Sequence, residues 1–315
     1  MRRIVLDTDL AMGAPGSDID DGFALAYALA DPELAVELVT TVSGNTDVDT
    51  ATRLSLDLLQ RLGREDVPVV RGASHGLRGW RREPPPGLPT ALTTRAPEPG
   101  YAAVQLVERV MDEPGALTIV AIGPLTNVAL ALALEPGVAE RVQEIVVMGG
   151  VFLQHTNLAQ MPGEFNTWAD PDATAIVLAS GAPLRFVGLD VTLQVRLTRA
   201  DAAVMAGRGT DFGRFAADCT LEWIEHVERD HPGDPREQDS CAMHDPLAVA
   251  VVARPDLVTW RSARVDVETA SPIARGVMVA DLLTSQFPPA ANCDIATAVD
   301  VDAFLDLFLQ RLAAL

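Results

Sequence analysis

Near-continuous apolar runs alternate with helical patterns through the first 190 residues of the chain. Runs rich in Val, Ile and Leu at Arg3–Leu6, Val36–Val42, Val67–Val70, Leu117–Ile122, Glu144–Met148 and Leu184–Val187 predict strands. Between them, Asp21–Ala30, Val48–Leu62, Ala102–Met111, Asn127–Leu134 and Pro171–Ala179 have helical pattern and length. Strands that are apolar at almost every position, each followed by a helix, predict an α/β fold with a mostly parallel sheet covered on both faces. Beyond residue 195 the pattern turns mainly helical, over Ala200–Arg229, Pro246–Ala253 and a closing Val301–Leu312. Val265–Thr269 and Arg275–Ala280 predict a small late hairpin.

Two segments interrupt the rhythm. Residues 72–99 are rich in Pro, Gly and Arg and long for a passive connection, and Val151–Trp168 is an irregular polar stretch. Loops of this kind tend to be lids or binding loops. No stretch reads as a flexible linker, so a single domain over residues 1–315 is expected.

Composition narrows the class. Apolar residues are 48% of 315, enough for a large core. The formal net charge of −20 offers no basic stripe, which argues against nucleic acid as a partner. All 24 basic residues are Arg, so no mechanism that requires a catalytic lysine is open to the chain. Cys219, Cys241 and Cys293 are widely spaced without a CxxC, the usage of reduced thiols in a cytoplasm. The start is too quickly acidic for a signal peptide, and no apolar run has the length of a membrane span, so a cytoplasmic protein is expected.

Charge placement points to chemistry. Asp7, Asp9, Asp18, Asp20 and Asp21 crowd one Gly/Pro-rich loop at the carboxyl end of the first predicted strand, where ligands of open α/β sheets bind. No Arg lies between Arg3 and Arg53 to compensate them. Crowded carboxylates need a cation or hydrogen-bond donors, and a divalent metal is the simplest compensation. Asp is also a good turn and cap residue, so Asp18 or Asp20 could instead cap a helix starting near Asp21.

Further polar groups follow later strand ends: Ser43-Gly44-Asn45, Gly123-Pro124-Leu125-Thr126-Asn127, Glu164-Phe165-Asn166 and Met243-His244-Asp245-Pro246. Each alone is a common turn or helix start. Their order, from DTD…DIDD through VSGN, AIGPLTNVALAL, VVMGG, EFN with ADPDA, MHDPLAV and VDVET…RG, resembles the nucleoside hydrolase family of inosine–uridine type over nearly the full length. The resemblance implies a Rossmann-like open sheet, a calcium ion beneath a ribose pocket, and hydrolysis of the N-glycosidic bond of ribonucleosides. It implies Asp9, Asp21, the Thr126 carbonyl and Asp245 as calcium ligands, an all-oxygen set suited to a hard cation. Asp9 would be the general base. Asp20, Asn45, Asn157, Glu164 and Asn166 would bind the sugar, and His244 would be the candidate acid for the leaving base. Homodimers or homotetramers are common in such proteins.

The chain departs from that pattern in places. Ten residues, Leu10 to Ile19, separate Asp9 from Asp20, of which Ala11–Pro15 look inserted; the metal geometry can survive if they bulge outward. Asp18 has a supporting or capping role. His75-Gly76 sits too early to equate with the HGxxG segment of many members. Trp80, Phe152, Trp168, Trp223 and His226 are candidates to stack on a base. Two other readings share the acidic loop: a DxD-type Mg²⁺ phosphatase of haloacid dehalogenase type, which would need a downstream Lys, and a non-catalytic calcium-dependent nucleoside or sugar binder.

Overall fold

The structure, a computed structural model, describes residues 1–88, 92–153 and 163–315. Its strands are β1 (Arg2–Thr8), β2 (Leu34–Thr41), β3 (Val69–Arg71), β4 (Leu117–Ala121), β5 (Glu144–Met148), β6 (Leu184–Val187), β7 (Arg196–Thr198), β8 (Ser240–Ala242), β9 (Val258–Ala263), β10 (Val265–Val267), β11 (Met278–Ala280) and β12 (Cys293–Val299). The helices are α1 (Asp20–Ala30), α2 (Val48–Arg61), α3 (Ala102–Asp112), α4 (Thr126–Leu134), α5 (Val138–Arg141), α6 (Phe165–Ala169), α7 (Pro171–Ala179), α8 (Leu189–Thr192), α9 (Arg199–Gly207), α10 (Asp211–Asp230), α11 (His244–Ala253) and α12 (Val301–Leu312).

Eight strands form one sheet in the order β3-β2-β1-β4-β5-β6-β12-β9. Every neighbouring pair is parallel except β12 with β9. Successive residues of a strand face opposite sides, so Ile4 and Leu6 join one buried cluster and Val5 the other. Both faces are covered, which is why these strands carry no polar alternation in sequence. On the first face Phe23 and Tyr27 of α1 pack on Phe308 of α12, with centroids 5.9 and 6.2 Å apart.

The winding reverses at β1, which lies between β2 and β4. Chains leave β1 and β4 towards opposite sides, opening a crevice at their carboxyl ends. The acidic loop therefore starts where the fold is open to a ligand.

The chain after residue 195 contains more strand than its pattern predicts. β9 and β12 extend the main sheet, and β7 pairs with β8. β9 is a partly exposed edge strand, VTWRSA, with no apolar run to betray it. The expected Ala200–Arg229 helix is two helices, because Gly209 adopts φ +74° and Thr210 then caps α10 by accepting from Gly213 N–H at 3.0 Å. Among the described residues no helix is long and apolar enough to cross a membrane.

Candidate active site

The floor of the crevice is built from three strand ends. Asp9, just past β1, is fully buried and its Oδ2 accepts the Asn45 backbone N–H at 2.6 Å. A Cβ at Gly44 would overlap that carboxylate, and one at Gly123 would come within 2.7 Å of Oδ1. Glycine at these two positions is what lets the loops after β2 and β4 close on Asp9. Beneath it, Asp7 Oδ1 accepts from Thr40 Oγ1 (2.5 Å) and Asn127 Nδ2 (2.7 Å), tying β1 to β2 and to the start of α4.

Two helix starts bring the remaining carboxylates in. Asp20 and Asp21 open α1 and Asp245 lies in the first turn of α11. One carboxylate oxygen from each lies within 4.8 Å of the other two. Asp21 accepts from the Thr8 hydroxyl and from Asn45 Nδ2 (2.9 Å), so Asn45 bridges Asp9 and Asp21. Asp20 Oδ2 accepts the Asp245 N–H at 3.1 Å, satisfying an orphan donor of α11. No side chain caps α1; Asp18 accepts from Ile19 N–H (2.7 Å) and shares a hydrogen bond with the Asp20 carboxyl while lining the crevice beside it. The capping role weighed for Asp18 and Asp20 at α1 is therefore not what the structure holds.

Burial drives the electrostatics. It pushes the carboxyls of Asp9, Asp20 and Asp245 well above the usual range, and mutual repulsion adds to this; Asp21 and Glu164 are raised too. Asp7 and Asp18 rise to about 6 for the same first reason. Among the described residues no Arg forms an ion pair with any of these aspartates. Asp9 Oδ1 is buried without a hydrogen-bond partner among the described residues. An orphaned carboxylate oxygen beside three clustered carboxylates, all hard oxygen donors, fits a divalent cation of the calcium type.

The opposite wall belongs to α6. Glu164 caps that helix, accepting from Asn166 N–H (2.7 Å), Thr167 N–H (3.0 Å) and, across the gap, Gly150 N–H (3.1 Å). Asn166 donates to the Ile122 and Met148 carbonyls at 2.9 and 3.3 Å, which spans the ends of β4 and β5. The late hairpin fixes the other end of α6. Arg275 donates to the Trp168 and Ala169 carbonyls at 2.7 and 3.0 Å, and Gly276 O accepts from Thr167 Oγ1 at 3.0 Å. Thr126 turns its hydroxyl onto Asp170 (2.7 Å), the cap of α7. Asn157 lies outside the described residues.

A cavity of about 340 Å³ stands on this floor, the size of a small-molecule site. Asp20, Asn45, Asp245, Glu164, Asn166 and His244 all line it. His244 Nδ1 is 2.7 Å from Thr192 Oγ1, and burial followed by the nearby Arg196 lowers the ring's pKa to about 4. Trp223 and His226 of α10, stacked at 5.0 Å, form the outer wall. Of the other aromatic candidates, Trp80 packs edge-on to Phe165 and Trp168, and Phe152 packs on Phe186.

The Ala11–Pro15 segment does not bulge outward. Ala11, Met12 and Ala14 are buried; Met12 lies against Gly22, Gly13 faces Phe215 and Leu54, and Gly16 faces His226. The segment is a wedge between α1, α2 and α10, paid for by apolar burial. The 72–99 segment, expected to be a lid or binding loop, reaches the site through residues 72–82, which sequence reasoning had not singled out individually. Leu77 N–H donates to Asp170 (2.8 Å), Arg82 N–H to Ser43 Oγ (3.1 Å), and Arg82 lines the cavity. The signal was present, because His75-Gly76-Leu77-Arg78-Gly79 itself has HGxxG spacing. Thr192 had no such signal.

Comparison with known proteins places the chain in a family and agrees with its fold. Residues 4–306 match the model of a family described as inosine-uridine preferring nucleoside hydrolase. Uridine nucleosidase 1 of Arabidopsis thaliana is 33% identical, covering 98% of this chain and 93% of that protein. The pyrimidine-specific ribonucleoside hydrolase RihA of Klebsiella pneumoniae is 34% identical over 93% of this chain and 95% of its own. A solved purine-preferring ribonucleoside hydrolase from Gardnerella vaginalis superposes with a TM-score of 0.89 at 32% identity, covering 99% of this chain and 98% of that one.

Proposed function

The chain belongs to the inosine-uridine preferring nucleoside hydrolase family, and from that premise we propose that it cleaves ribonucleosides to ribose and free base using a calcium ion held by Asp9, Asp21, Asp245 and the Thr126 carbonyl. The observation that carries this reading is the buried Asp9 Oδ1, without a hydrogen-bond partner among the described residues, on a carboxylate that holds the cavity-lining Asn45. When bound, the cation would supply positive charge that neutralises the aspartates, orients the ribose diol and eases ionisation of water.

The protein's own groups do the rest. Asp9 takes the proton of the attacking water, whose oxygen adds to C1′ as the C1′–N bond breaks. Asp20, whose Oδ2 accepts the Asp245 N–H, lines the cavity and accepts from a ribose hydroxyl. Asn45, Asn166 and Glu164 hold the rest of the sugar, with Asn157 the further candidate from sequence. Carboxylate and amide oxygens around the ring favour the oxocarbenium character that builds there. The base departs with the bonding pair and takes up a proton afterwards. His244, uncharged at neutral pH because its pKa is held near 4, stabilises that developing negative charge by donating an N–H.

A ribose-release screen over purine and pyrimidine ribonucleosides with Ca²⁺ present tests the reading. A site that hydrogen-bonds a substrate hydroxyl rejects the analogue lacking it, so 2′-deoxyribonucleosides should be slower by at least about 10³-fold. Binding without ribose release would favour the non-catalytic binder.

His244→Ala should lower kcat on inosine or uridine by about 10²-fold but by less than about 5-fold on p-nitrophenyl riboside, whose leaving group needs no donor. Equal losses on both would remove His244 from the leaving-group role.

A further inference from the structure

The turn α8 carries no residue of the reaction so far assigned, yet it touches the site at its least explained point. Thr192 is fully buried, and the only hydrogen-bond partner of its hydroxyl among the described residues is His244 Nδ1, at 2.7 Å. The turn beneath it is rigid. Leu189 N–H donates to Gly150 O at 2.9 Å, and a Cβ on Gly188 would come within 2.7 Å of that same carbonyl. Asp190 accepts the Phe152 and Leu153 N–H groups at 2.7 Å each. The Thr192 backbone N–H is committed to Gly188 O at 3.1 Å, so the hydroxyl is delivered to the imidazole from a fixed frame.

An imidazole has two nitrogens, and in the neutral ring one donates while the other accepts. With Nδ1 engaged by Thr192, Nε2 is the nitrogen left for a ligand in the cavity that His244 lines. A group facing a base that gains negative charge must present a proton there, which leaves Nδ1 as acceptor and the threonine hydroxyl as donor.

We propose that Thr192 is a positioning residue that fixes His244 in its Nε2–H tautomer and aims that N–H at the departing base. No proton changes place in this arrangement: Thr192 O–H donates to Nδ1, and Nε2–H donates to the base nitrogen as the C1′–N pair moves onto it. The inference rests on the reading of His244 given above. It adds that the tautomer is set by a residue 52 positions away in sequence that need not touch substrate.

Thr192→Val keeps the shape and loses the hydroxyl, whereas Thr192→Ser keeps the hydroxyl. Thr192→Val should lower kcat on inosine or uridine by about 10–50-fold, within the range of one misoriented catalytic hydrogen bond, with little change in KM. It should change p-nitrophenyl riboside hydrolysis by less than about 3-fold, and Thr192→Ser should restore nucleoside turnover to within about 3-fold of the parent. Nitrogen-15 NMR of histidine-labelled protein should show the Nε2–H tautomer for the signal lost in His244→Ala, and a tautomer mixture at that position in Thr192→Val. An Nδ1–H signal in the parent, an unchanged Thr192→Val enzyme, equal losses on both substrates, or failure of Thr192→Ser to rescue would each overturn the proposal. The NMR result stands even for a variant that folds poorly, because it is read on the parent. The His244→Ala comparison separates two failures. If it is selective and Thr192→Val is not, only the threonine's role is wrong; if it is unselective, the reading of His244 falls first.

Discussion

Asp9→Asn is expected to lower ribose release by about 10³-fold, the usual worth of a general base, while the cation-free protein melts no lower than the parent. Both halves follow from the same surroundings. Asp9 is fully buried, and burial and Asp21 raise its pKa well above the normal range, so its charge is a burden on the fold without a cation. Asparagine is isosteric and neutral. Its Oδ1 can still accept the Asn45 N–H, and its amide N–H₂ can donate towards Asp21. The glycine cradle at Gly44 and Gly123 accommodates either side chain. What the variant lacks is a proton acceptor for water and one anionic oxygen for the cation. Kinetics with saturating Ca²⁺, together with melting in chelator, check the two halves separately. Near-parent turnover would refute the assigned base, and a collapsed melting temperature would show that Asp9 is structural instead.

The sheet was legible because its strands are buried on both sides. Glu144–Met148 and Leu184–Val187 are found with the expected bounds, as are Pro171–Ala179 and Val301–Leu312. Legibility fails where burial is one-sided or absent. β9 carries Thr259, Arg261 and Ser262 exposed at a sheet edge, so its sequence has no strand signature. The same logic divides the site. Asp9, Asp20, Asp21 and Asp245 could be singled out because uncompensated acids are rare in apolar surroundings; the fold brings Asp20, Asp21 and Asp245 within 4.8 Å of one another and sets Asp9 against Asp21. Residues that act through other protein groups gave no such sign. Arg275 pins α6 through two carbonyls, Asp190 holds residues 152 and 153, and Thr192 meets His244 only after the chain has folded. A threonine in an apolar turn is ordinary until its partner is known. The wedge at Ala11–Pro15 failed differently. An insertion between metal-loop acids suggests an outward bulge, but Ala, Met and Ala are apolar enough to be buried under α10.

Removing the cation should destabilise the protein, and the loss should grow with pH. The sign follows from proton counting. Burial raises Asp7 and Asp18 to about 6 from an ordinary 3.8, and raises Asp9, Asp20, Asp21 and Asp245 as well. Between about pH 4 and 6 the cation-free folded state therefore holds more protons than the unfolded chain, so stability falls as pH rises through that window. For a fully buried group such as Asp7, a rise from 3.8 to about 6 is worth about 3 kcal/mol once both states are ionised. A cation offsets this by replacing protons with fixed positive charge, and at a hundredfold excess over its Kd it adds about 2.7 kcal/mol. At pH 5 protons compete with the cation and already neutralise the cluster, so little is gained. The melting temperature with Ca²⁺ minus that with chelator should thus be small at pH 5 and reach several degrees at pH 8, with ribose release lost in chelator and restored by Ca²⁺. A gap that is absent at pH 8, or that shrinks as pH rises, would mean that the aspartates are compensated by something other than a bound cation.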